Sequence, residues 1–176
     1  MKTILSLLLS CVVLGFFFFR PSDSAAEALP TPVDYHLPYP GMTPDHPLYT
    51  VKKIRDWLLL NFNRDPVRKV EIHLLLADKK LVMAELLINK RNTRLAVDTY
   101  YDSQVELVKA VTVMSEVNSV KEPPTGLADK LELASRKHEE MIKKQVAVVT
   151  DIKSLNQLKQ ALSLNEKAYS QIQLIK

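Results

Sequence analysis

Four histidines, His36, His46, His73 and His138, are the side chains in this 176-residue chain best suited to holding a divalent ion, and Asp45 beside His46 could join them. Such a set would make a metal or stress sensor, provided that at least two of these five side chains converge on one point. The spacing does not favour convergence. His73 follows Glu71 by two residues, which puts the pair on different faces of a helix, and no Glu-x-x-His or His-Glu-x-x-His occurs. His138 falls in an apolar stripe, where a histidine is expected to hydrogen-bond a neighbour such as Gln104 or Gln145. Tyr35, His36, Tyr39, Asp45, His46 and Tyr49 crowd into one proline-rich stretch; they suit either a ligand patch or, more simply, side chains pinned across a bundle.

Other chemistries lack their parts. The chain has three glycines, Gly15, Gly41 and Gly126, and no glycine-rich phosphate loop, Gly-x-Ser-x-Gly elbow or haem-attachment motif. Its one cysteine, Cys11, lies in the leading apolar run, so the body has no thiol for a disulfide, a thiolate metal centre or nucleophilic catalysis. We therefore expect no enzyme, no cofactor and no catalytic, cofactor-binding or metal site. The 24 basic residues are scattered among 20 acidic ones, which speaks against specific nucleic-acid binding and only weakly for anionic surfaces.

The elements that would position these residues fall into three parts. Residues 1–28 read as a signal peptide or membrane anchor with spacer: Lys2 precedes an apolar run from Ile4 to Phe19, which Arg20 and a polar stretch end. Its sixteen residues lie between a signal core and the roughly 20 that span a bilayer. Ala26 and Ala28 offer a small-x-small cleavage site. Cleaved or retained, the segment places the body outside the cytoplasm. Cys11 follows Leu8-Leu9-Ser10, but the apolar run continues well past it, unlike a lipid-modified cysteine.

Residues 29–46 are an extended, proline-rich strap, since proline fixes φ and removes amide donors. Its run Leu37-Pro38-Tyr39-Pro40-Gly41, followed by Pro44-Asp45-His46-Pro47-Leu48-Tyr49, Lys52-Lys53, Arg55-Asp56, Asp65-Pro66, Lys69, Glu71, His73-Leu74, Ala77-Asp78-Lys79, Leu81 and Glu85, resembles a bacterial family of exported proteins known as a domain of unknown function. The likeness covers about Tyr35 to Asn89, with Lys80 standing where arginine is expected. The resemblance implies a helical, extracytoplasmic domain; it brings no activity and no assigned site residues.

Residues 47–176 carry helical periodicity throughout. Leu48, Val51, Ile54, Leu58 and Phe62, with Trp57 beside them, make an amphipathic helix that starts at Pro47, with Asp45 or His46 as its cap. Asp65-Pro66 caps a second helix, whose seam Val67, Val70, Leu74, Ala77, Leu81, Ala84 and Ile88 predicts burial on more than one side. A third helix is expected from about Arg94 to Asn118. A fourth begins near Thr125 and carries a solvated face with the pairs Glu139–Lys143 and Glu140–Lys144. A fifth follows, capped by Ser154 with Gln157 or merged with the fourth as one bent helix. The expected fold is an all-α, antiparallel up-and-down bundle of four to five helices with the strap laid on it. The expected role is that of a non-enzymatic interaction or scaffold module at a bacterial cell envelope. Its partner would be another envelope protein or a second copy, with the membrane reached through residues 4–19 if these stay attached.

Overall fold

The computed structural model describes residues 32–120 and 122–176. The leader, the spacer and the first residues of the strap lie outside the described residues. Five helices follow the strap: α1 (Tyr49–Phe62), α2 (Pro66–Asn89), α3 (Thr93–Val120), α4 (Leu127–Val146) and α5 (Ile152–Ile175). The fold is all-α.

Local chemistry accounts for most of the boundaries. Asp65 caps α2, its carboxylate accepting from the Val67 amide at 3.1 Å, with Pro66 in the first turn. At the other end of α2, Asn92 donates to Leu87 O at 2.9 Å and Arg91 adopts a left-handed φ of 60°, a helix stop usually given to glycine. Gly126, at φ 82°, precedes α4. Two expected starts move. The chain turns through Thr43–Leu48 before α1 begins at Tyr49, and His46 accepts the Leu48 amide instead of capping the helix from a first-turn proline. α5 starts at Ile152, because Asp151 binds the Ser154 amide at 2.9 Å while Gln157 turns away to Asp98; α4 and α5 are separate helices.

The core belongs to α2–α5. Polar contacts fix the directions: Ser103 meets Ala77 and Tyr100 meets Glu85, so α2 and α3 are antiparallel, and Glu132 with Lys176 and Ser135 with Asn165 make α4 and α5 antiparallel. Gln157 on Asp98 and Asn165 on Gln104 then set α5 beside α3 in the same direction. His138 on Asp78 and Gln145 on Glu85 set α4 beside α2 likewise. Two helix hairpins are thus stacked face to face.

Two apolar clusters fill the bundle. One gathers Leu74, Leu107, Met114, Leu131 and Ile172 with their neighbours; the other gathers Leu81, Tyr100, Ile142 and Leu158. The strap runs along the groove between α2 and α4. Val33 donates its amide to Glu140, Tyr35 packs on the first cluster, and Leu37 packs on the second.

Candidate functional site

Between the two apolar clusters each core helix contributes polar residues at core positions: Asp78 from α2, Ser103 and Gln104 from α3, Ser135 and His138 from α4, and Asn165 from α5. All are buried, and their hydrogen bonds form one connected set. Gln104 Nε2 donates to His138 Nδ1 at 3.0 Å, so His138 Nε2 carries the hydrogen that Asp78 Oδ1 accepts at 3.0 Å. Asn165 donates to Gln104 Oε1 at 3.0 Å and to Ser135 O at 3.1 Å. Tyr35 of the strap donates its phenol to Asp78 Oδ2 at 2.7 Å. Burial first, and then the Asp78 carboxylate, push that phenol far above its ordinary pKa.

Ser103, His138 and Asp78 follow one another in the order of a hydrolytic triad, with Ser103 Oγ 3.4 Å from His138 Nδ1. The hydroxyl, however, donates to Ala77 O at 3.0 Å, and neither Ser103 nor His138 has any exposed surface. A satisfied network of this kind sets helix register and anchors the strap.

The histidines read from the sequence stay apart. His138 binds Gln104, one of its two expected partners, while Gln145 goes to Glu85. His73 Nδ1 lies 2.8 Å from Glu106. Asp45 pairs with Lys90 at 2.8 Å and with the Thr43 hydroxyl. His36 and His46 are exposed, and among the described residues no three His, Cys, Asp or Glu side chains are grouped to hold a metal ion. The expected Glu139–Lys143 pair forms at 2.5 Å, whereas Glu140 takes Lys137 and the Val33 amide in place of Lys144. That carboxylate anchors the strap.

α1 departs furthest from expectation. Its apolar stripe does not enter the core: Leu48, Val51, Ile54, Trp57, Leu58 and Phe62 are between 40% and 81% exposed, and the one buried residue of the helix is Lys52, at 7%. The Lys52 ammonium donates to Pro40 O at 2.9 Å and to Met42 O at 3.2 Å, touches Met83 Sδ at 3.6 Å, and lies 5.6 Å from the centre of the Tyr49 ring. Burial pulls its pKa down. Gly41 lets the strap turn to meet it, at a left-handed φ of 71°. A lysine thus pins α1 to the strap and to α2 with its polar side inward.

Under α1 lies a groove of about 240 Å³ lined by Tyr49, Lys53, Asp56, Trp57 and Leu60 of α1 and by Leu76, Lys80, Asp102, Glu106 and Lys109 of α2 and α3. At its floor, burial would raise the Glu106 carboxyl, but the hydrogen bond from His73 and the ammonium groups of Lys80 and Lys109 outweigh it and hold the group at about 2. A larger cleft, about 450 Å³, opens at the far end of the bundle between Ile88, Arg94, Val149 and Asp151.

The sequence does not single out Asp78, Ser103, Ser135 or Asn165 as candidate site residues. The available signal was a polar residue on each helix at a position that continues an apolar stripe. No curated protein and no solved structure matches the chain. A family model does match, over residues 41–175, from the strap's Gly41 through all five helices: the chain belongs to the family described as Domain of unknown function (DUF5667).

Proposed function

We propose that this protein is a non-enzymatic interaction module, carried outside the cytoplasm at a bacterial cell envelope, that docks a partner through the outward apolar face of α1. One observation carries this reading: a helix with a well-formed apolar stripe is held the wrong way round for folding, lysine inward and leucine, isoleucine, tryptophan and phenylalanine outward. Contiguous exposed apolar surface of this kind is characteristic of contact sites. The groups that could do chemistry, His138 and Ser103 above all, are engaged in the core, which supports a binding role over catalysis. The leader read from residues 1–28 supports presentation outside the cytoplasm.

The test is photo-crosslinking in a bacterial host that makes the full chain. A photo-reactive phenylalanine analogue is placed at Leu58 or Phe62, and at exposed Lys159 of α5 as control. Adducts from the α1 positions alone, in a body that external protease digests in intact spheroplasts, are the expected result. Equal labelling from all three positions, or a body protected inside the cell, would refute the proposal.

A further inference from the structure

The surface that the α1 face meets can be identified from charge. Six of the chain's 24 basic residues and two of its 20 acidic ones fall between Leu48 and Lys69, so this stretch holds the entire formal charge of +4 and the rest of the chain is balanced. Lys52 is turned inward and Lys53 lines the groove under α1, but Arg55, Arg64 and Arg68 are exposed around the apolar face or at its C-terminal end. Arg55 and Arg68 are partnered by Asp56 and Glu71, leaving Arg64 as the basic residue at this face with no ion pair among the described residues. The face itself combines branched aliphatic residues with Trp57 at its edge and Phe62 at its end.

An exposed apolar helix face with tryptophan and phenylalanine, rimmed by Arg, matches the surface of a bilayer that carries negative headgroups. A second copy fits less well. A two-fold pairing of α1 with α1 of a second copy would bring the two basic rims together, since a two-fold interface opposes the same patch on both subunits. Position along the chain allows it. Between Phe19, where the leading apolar run ends, and Pro32, where the described body begins, there are twelve residues. They reach about 40 Å at full extension, so a retained leader would hold the body within reach of the membrane.

We infer that α1 lies in the plane of an anionic membrane surface, with Leu48, Val51, Ile54, Leu58 and Phe62 in the headgroup region and the basic rim on the lipid phosphates. This rests on the proposed role of the α1 face as a contact site and names what it contacts. The bundle then stands on the membrane by α1, and the strap and Lys52 couple that foot to the body.

Trp57 is the only tryptophan in the chain, so its fluorescence reports on α1 even when the leader is itself in the bilayer. The full-length protein is mixed with vesicles of phosphatidylglycerol and phosphatidylethanolamine containing a phospholipid nitroxide-labelled near the headgroup end of one acyl chain. The expected result is a blue shift and loss of most Trp57 emission. Replacing phosphatidylglycerol by phosphatidylcholine should restore most of the emission, and each basic rim residue replaced by Gln should weaken binding up to roughly fivefold. The double variant Leu58→Glu, Phe62→Glu should keep its helical circular dichroism and lose the quenching. If that variant unfolds, Arg64→Glu, which leaves the apolar face intact, must still weaken quenching. Unquenched emission with vesicles present would overturn the inference. So would emission already blue-shifted without lipid and insensitive to nitroxide, which would mean that a second copy or the chain's own leader covers the face. Protein adducts from α1 in the crosslinking experiment, combined with unquenched Trp57, would refute the membrane while leaving the interaction module standing.

Discussion

At Glu106 three nitrogen groups meet one carboxylate: His73 at 2.8 Å, Lys80 at 3.1 Å and Lys109 at 3.3 Å. The carboxyl is held at about 2 against an ordinary 4.5. A depressed carboxyl contributes stability that is complete above its unfolded-state value and is lost as pH falls towards its folded value. Urea unfolding as a function of pH should therefore show a loss between about pH 4.5 and 2 that Glu106→Gln removes, at a cost near neutrality of about 1–3 kcal/mol after allowance for solvent screening. An unchanged acid limb in the variant would show that the cluster does not act as a unit. Arg91 offers a test of opposite sign. Its left-handed backbone strains any side chain with a Cβ, so Arg91→Gly should raise stability by about 0.5–1 kcal/mol, read as an increase in the urea midpoint.

Helix α1 obeys different rules from its neighbours. In α2, Leu81 is fully buried, and Leu81→Ala should cost about 2–5 kcal/mol. In α1, Phe62→Glu should change global stability by no more than about 0.5 kcal/mol, because the side chain is already 81% exposed. Equal costs would mean that α1 packs by its stripe after all. Lys52 has the reverse profile. Lys52→Met keeps the length of the side chain and removes its bonds to Pro40 O and Met42 O. Hydrogen exchange should then quicken in Tyr49–Phe62 and the strap while α2–α5 stay protected, since the loss is confined to a locally opening unit. A sequence pattern cannot make this distinction: the stripe of α1 and the seam of α2 have the same spacing, and only the partner surface tells them apart.

The whole bundle is two apolar halves separated by a buried polar layer, with the strap tied to that layer through Tyr35 and Asp78. His138→Leu removes the Nε2–H from a carboxylate that stays buried, and should destabilise by about 3–5 kcal/mol in urea titration. A loss below 1 kcal/mol would show that Tyr35 alone satisfies Asp78. The layer also explains how two hairpins can stack with α3 beside α5: bonds such as Asn165 to Gln104 form in one register only. What the sequence by itself determined was local. Helix spacing, the Asp65-Pro66 cap, the rigid proline strap and the missing catalytic motifs are written within a few residues of each other, because dihedral preference and side-chain period act over that range. Contacts between residues far apart in the chain decided the rest. These include which helix lies beside which, the gathering of Asp78, Ser103, Gln104, His138 and Asn165 into one network, and the choice of Lys52 over Leu58 as the inward residue of α1. An apolar stripe records that something apolar must cover it; the tertiary structure decides whether that cover is this chain's own core.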